Sequence, residues 1–266
     1  MGWWYTESVM RILQSIFLFV FGICIGSFLN CVVWRLNHDC SPLRGRSFCP
    51  KCKHKLGWKD NIPLLSFVLL RGKCRYCRSP ISWQYPIVEL ATGILTVVSF
   101  QLSVVRGEDS LSTVYWLLIT YALITLFVSD LGYQTIPDEI VFPAIILAIL
   151  YSILYSPFSI LNSLLAGAGA AGFFLFLVMV TRGRGMGMGD VKLVALMGLV
   201  LGWPKIVVAL FLAFLTGAFI GVILVIMGER RLNSHIPFGP FLTTATLISL
   251  FWGGLIWQWY LEKIMG

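Results

Sequence analysis

Residues Val9–Trp34 read VMRILQSIFLFVFGICIGSFLNCVVW, an apolar run broken only near its ends by Arg11, Gln14 and Asn30. About 20 apolar residues carry a helix across the hydrocarbon of a bilayer. This stretch is long enough to stay in the membrane as a span, unlike the short apolar core of a cleavable signal. Seven further runs follow, at about 85–105, 113–130, 139–156, 160–181, 190–202, 205–227 and 239–260. The sixth of the eight is short, because Gly202, Trp203 and Pro204 interrupt it. It reads as one arm of a tight helical hairpin with the seventh. The chain has 266 residues, 58% of them hydrophobic and 12% charged, against about 25% charged in an ordinary soluble domain. One soluble core cannot hide that much apolar surface. The expected fold is an all-α polytopic membrane protein with about eight transmembrane helices in the lipid bilayer.

The net charge of +8 has a location that argues against nucleic acid as a partner. Eleven of the twenty Lys and Arg residues fall between Arg35 and Arg78. Five more, Arg182, Arg184, Lys192, Arg230 and Arg231, sit in two short connections. Lys and Arg near span ends are retained in the cytoplasm. Segments 35–84, 131–138, 182–189 and 228–238 are therefore expected inside, with both chain ends outside. Seven or nine spans would instead put the tail inside. The basic loops also suit anionic headgroups. The organisation expected is a first span over 1–34, a cytoplasmic domain over 35–84 and a membrane core over 85–266.

The cytoplasmic domain is too small for a robust apolar core and needs a staple. Cys49-Pro50-Lys51-Cys52 and Cys74-Arg75-Tyr76-Cys77 are two C-x-x-C knuckles, with a separation close to that of zinc ribbons. Cys49, Cys52, Cys74 and Cys77 would give a closed tetrahedral shell for structural zinc, with no open position for hydrolysis. Paired disulfides or redox-active thiols are the alternative, which a cytoplasmic setting disfavours. Cys24, Cys31 and Cys40 have no such spacing.

Two acids stand at the predicted inner boundary of the membrane. Asp130 closes the third run, in Ser129-Asp130-Leu131-Gly132, and Asp190 opens the sixth, after Gly187-Met188-Gly189. Ionisable groups at spans are costly and point to function. Two adjoining carboxylates share a proton, so one can activate a water while the other polarises a carbonyl. The alternating Gly183, Gly185, Gly187 and Gly189 leave room for a peptide backbone. The plainer alternatives are an interfacial loop acid at Asp130 and a helix cap at Asp190. Glu89 either pairs with a basic residue or lines the site, Asp138 and Glu139 suit a helix start, and the lone His235 reads as structural. A transporter, a thiol-redox membrane protein and a non-enzymatic assembly factor are the competing classes.

At these residues the chain resembles the type IV prepilin peptidases, a branch of the GxGD membrane aspartyl proteases. The resemblance runs through Gly26-Ser27-Phe28-Leu29-Asn30 with Arg35-Leu36, the two knuckles with Pro63-Leu64-Leu65-Ser66 and Leu70-Arg71-Gly72 between them, Asp130 with Ile136-Pro137-Asp138, Gly187-Met188-Gly189-Asp190, and Pro237-Phe238-Gly239-Pro240-Phe241. Cys31 and Trp34 stand where Val and Tyr are expected, with no consequence for the chemistry. The resemblance implies an endopeptidase of the bacterial inner membrane, with Asp130 and Asp190 catalytic. It implies cleavage of basic prepilin or pseudopilin leaders after glycine, for type IV pili or type II secretion. It further implies N-methylation of the new N-terminus with S-adenosylmethionine as donor.

Overall fold

The computed structural model describes residues 2–38, 40–42, 45–155, 160–183, 186–227 and 237–265. Arg184, Gly185, Arg230, Arg231 and His235 lie outside the described residues. The principal helices are α1 (Gly2–Leu36), α2 (Leu65–Leu69), α3 (Gln84–Val105), α4 (Ser110–Tyr133), α5 (Asp138–Tyr155), α6 (Ile160–Thr181), α7 (Met188–Leu201), α8 (Lys205–Ile226) and α9 (Gly239–Met265). Seven of them are long and apolar enough to cross a membrane, and residues such as Phe211, Phe219 and Val222 of α8 turn outward. The protein is a multi-pass, all-helical membrane protein. The sixth of the eight runs became α7, whose 14 residues make a helix of about 21 Å, short of the roughly 30 Å of hydrocarbon.

The chain forms two compact units, Met1–Thr125 and Leu126–Gly266. In the first, α1 packs along α3 through Gly22 and Gly26. A Cβ on Gly22 would stand 2.8 Å from the Gly93 Cα, and one on Gly26 would stand 2.8 Å from the Glu89 Cα. This is the small-xxx-small spacing that lets backbones meet in lipid, where close packing replaces the hydrophobic effect. The Thr92 and Thr96 hydroxyls donate to the carbonyls one turn back, at 2.7 Å each, so neither is left unpaired in the apolar interior.

In the second unit α7 is the central helix, packed against α5, α6, α8 and α9. Its Leu193, Val194, Leu196 and Met197 are fully covered. The turn from α7 to α8 is three residues long, as expected of a hairpin, and Gly202 enters it at φ 63°. Asn162 of α6 holds that turn, accepting the Trp203 N–H at 3.2 Å and donating to the Trp203 carbonyl at 3.1 Å.

Candidate active site and four-cysteine cluster

The two knuckles fold by one local rule. Cys49 N–H donates to the His54 carbonyl and Lys53 N–H to the Cys49 carbonyl; Cys74 and Arg78 repeat both bonds with Ser79 and Cys74. The residue after each C-x-x-C, Lys53 at φ 54° and Arg78 at φ 56°, turns left-handed to close the loop. Four thiols result within 4.8 Å of one another, none in a disulfide. The Cys49 and Cys77 sulfurs are 3.8 Å apart, and a tetrahedron with metal–sulfur bonds of about 2.3 Å has edges of about 3.8 Å. The cluster therefore fits a tetrahedral metal ion.

The electrostatics suit the same role. The Ser79 hydroxyl, then its backbone N–H, draw Cys77 down to about 6. The His54 backbone pulls Cys52 down, but loss of solvent, then hydrogen bonds with Cys49 and Cys77 and repulsion from Cys49, outweigh it and leave Cys52 at about 11. Four thiols this close hold protons between them until a cation displaces them. Asp60, which no sequence motif marked, braces the region. It accepts Arg75 Nε at 2.6 Å and the Gly57 N–H at 3.1 Å. Burial pushes its carboxyl up, yet Arg75 and Gly57 more than offset this and hold it below the usual carboxylate value.

Glu89 of α3 is buried, and it meets backbone instead of a basic side chain. Its Oε2 accepts the Leu64 N–H at 2.7 Å, and the Ser27 hydroxyl also bonds it. Leu64 needs that partner, because its φ of 59° is unfavourable for a γ-branched residue.

Asp130 lies in the last turn of α4, which Gln134 closes at φ 55° with its N–H on the Asp130 carbonyl. A carboxylate at a helix C-terminus is poorly placed against that helix's dipole. The start of α9 compensates. A Cβ on Gly239 would come within 2.5 Å of Asp130 Oδ2, so the bare backbone of the α9 N-terminus presses on the carboxylate. The neighbouring Phe238 anchors this contact among Phe174, Phe214 and Phe241, at ring separations of 5.3 to 6.3 Å. The Gly239 amide lies near Asp130, but Oδ2 remains buried without a completed hydrogen bond.

Asp190 is the third residue of α7 and reaches back to accept the Gly187 N–H at 3.2 Å. It therefore does cap its helix, from inside the first turn. Gly189 packs on Ile136, where a Cβ would stand 3.2 Å from the Ile136 Cβ, whereas Gly187 has only its own loop within reach. Both aspartates are buried, 6% and 9% exposed; Asp190 stands in the first turn of its own helix, and Asp130, in the last turn of α4, lies against the first residue of α9. Asp130 feels the charge of Asp190, so the second unit brings the two carboxyl groups into one neighbourhood. Asp138, also in the expected motif, is turned to Lys192 at 2.6 Å and is half exposed.

Residues 20–102 match the bacterial peptidase A24 N-terminal domain, and residues 117–222 match the type IV leader peptidase family. A prepilin leader peptidase/N-methyltransferase of Aeromonas hydrophila is 35% identical over 93% of this chain and 94% of its own. The chain belongs to the type IV leader peptidase family. Proteins of the same description from Legionella pneumophila, 34% identical over 91% of this chain and 92% of theirs, and from Pseudomonas aeruginosa, 32% over 91% and 91%, match in the same way. No solved structure matches this member of the family. As a type IV leader peptidase the chain is an enzyme, and the family match to residues 117–222 contains both aspartates.

Proposed function

We propose that this leader peptidase is an aspartyl endopeptidase of the bacterial inner membrane, in which Asp130 and Asp190 together hydrolyse the leader of type IV prepilins and related pseudopilins. The observation that carries this reading is the pair itself: two buried carboxyl groups on different helices, one sensing the other's charge. A buried pair holds one proton between its members. The ionised member takes a proton from a water that attacks the scissile carbonyl, and the protonated member gives its proton toward the departing amine. Neither aspartate is assigned as the base, since the pair titrates as a unit.

The basic loops favour a cytoplasmic position for the pair. A prepilin whose apolar helix lies in the bilayer presents its cleavage point, after a glycine, at that boundary. The names of the relatives extend the reading to a second step. S-adenosylmethionine, when bound, would supply the methyl group for the freed N-terminal amine. The four-cysteine domain, residues 35–84, is read as a zinc-held cytoplasmic insertion between the first span and a membrane core over 85–266.

Cleavage of a prepilin in membranes by wild type, Asp130→Asn and Asp190→Asn tests the peptidase reading. Each variant should lose on the order of 10³-fold in rate, within the range general acid–base groups contribute. Retained cleavage in either folded variant would remove the two-aspartate mechanism.

A further inference from the structure

Leu65, Val68 and Leu69 of the short helix α2 fall on one of its faces, because residues three and four apart are neighbours on a helix. That face is uncovered, with Val68 69% and Leu69 71% exposed. Phe67 points the other way and packs on Trp83 at a ring separation of 5.0 Å. An exposed apolar patch on so small a domain marks a binding surface, and its depth says what binds. The 22 residues of α3 rise about 33 Å, little more than the roughly 30 Å of hydrocarbon. Gln84 therefore stands near the membrane boundary. Glu89 lies further in, about 7.5 Å along the axis. Its carboxylate accepts the Leu64 N–H at 2.7 Å, and Leu64 directly precedes α2. This bond ties the start of α2 to a level inside the boundary.

The surface next to it already faces lipid. Trp83, Ile87, Leu90 and Ile94 recur at helical spacing on one face of α3, and all four are exposed. The α2 face adjoins this stripe through the contact of Phe67 with Trp83. Arg71 and Lys73 follow the apolar face, both exposed and in no ion pair among the described residues. Trp and basic side chains are the ones that anchor at lipid headgroups. We propose that α2 is an interfacial helix of the bilayer. Leu65, Val68 and Leu69 enter the acyl chains of the leaflet on the four-cysteine side, and Arg71 and Lys73 meet its anionic headgroups. Such helices sink roughly 5–10 Å into the headgroup and acyl boundary, which is the level that Glu89 sets. The four-cysteine domain thus gains a third hold on the membrane, between the spans that lead into it and out of it. Its thiol cluster is kept at a fixed height and does not swing on its two connections.

The test uses full-length protein in nanodiscs of phosphatidylethanolamine and phosphatidylglycerol, with a fluorescent amino acid in place of Val68. Lipids brominated on their acyl chains should cut its emission about twofold or more, and iodide in the water should quench it little. Quenching by iodide and not by brominated lipid would overturn the proposal, because the face would then lie in water. Shielding from both quenchers would overturn it as well, since a second copy of the chain or a prepilin would then cover the face. In protein without the label, Leu69→Asp should speed amide hydrogen exchange over residues 65–72 about tenfold in nanodiscs. Leu69→Phe, which keeps an apolar group for the lipid, should exchange at the wild-type rate. Equal exchange in Leu69→Asp and wild type would show that this side chain does not enter the bilayer.

Discussion

The cysteine cluster and the aspartate pair each gather groups that repel one another when ionised, and they do so by opposite means. Each knuckle is a self-contained turn that repeats the same two backbone hydrogen bonds, so the thiols converge wherever the two turns meet. A metal ion suits that design, because local turns supply direction and the ion supplies cohesion. The carboxyl groups belong to α4 and α7, and nothing local brings them together. Asp130 is held by the bare start of α9 and Asp190 by its own capping bond. One assembly is built of local turns that suit a metal ion, whereas the other rests on helix ends and tight packing.

If helix ends position the pair, a methyl group on the wrong glycine should approach the effect of removing a carboxylate. Gly239→Ala is the sharpest case, since its Cβ would need the space of Asp130 Oδ2. Displacement of a reacting group by an ångström costs on the order of 10²-fold in rate, and that loss in prepilin cleavage is expected here. Gly187→Ala is the control on the protein side, because its Cβ meets nothing closer than 3.8 Å. A folded Gly187→Ala protein that cleaves poorly would report crowding of the peptide substrate. Unaltered cleavage in Gly239→Ala would show that the α9 contact does not position Asp130.

The cluster side of the comparison should respond to metal and leave hydrolysis largely intact. Structural zinc contributes on the order of 10 kcal/mol to folding of isolated four-ligand peptides. Cys49→Ser, or treatment with a strong chelator, should therefore open residues 45–84 to proteases while prepilin cleavage changes only a few-fold. Proteolytic fragments and metal content measured on one preparation check this. A metal-free protein with a protease-resistant loop would end the zinc reading, and complete loss of cleavage in folded Cys49→Ser would tie the two assemblies together.

Acid sharpens the same boundary by a smaller amount. The Asp60 carboxyl is held below its ordinary value, so its contribution to the loop is full above the unfolded value and is lost as pH falls through the folded one. The difference in protease resistance between wild type and Asp60→Asn should be present at pH 7 and vanish under strong acid. A difference independent of pH would mean that Asp60 acts by packing and not through its charge on Arg75.

What was legible in the sequence follows the same division. The knuckles were readable because spacing alone sets their turns, and the spans because composition alone decides which segments enter lipid. The short α7 was visible in Gly202, Trp203 and Pro204. The contact of Gly239 with Asp130 was not, because it joins residues from opposite ends of the second unit. The clamp of Asn162 on Trp203 and the bond from Leu64 to Glu89 escaped for the same reason: each is a single polar side chain whose partner is a backbone group, and backbone groups leave no mark in sequence.

Asp138 carries the smallest expected effect and marks the edge of the aspartate site. It belongs to the motif Ile136-Pro137-Asp138, and an acid eight residues after Asp130 and paired with Lys192, two residues after Asp190, is a natural third candidate. Its surroundings argue otherwise. The carboxylate is half exposed and paired with Lys192, itself a third exposed and lying over the Phe142 ring at 5.3 Å. Solvent-exposed pairs are worth at most about 1 kcal/mol, so Asp138→Asn should lower the thermal midpoint slightly and alter cleavage a few-fold at most. Lys192→Met should do the same, because both remove one strut between α5 and α7. A loss in Asp138→Asn as deep as that in Gly239→Ala, with Lys192→Met near wild type, would place Asp138 among the reacting groups. The two-acid site would then become a site of three.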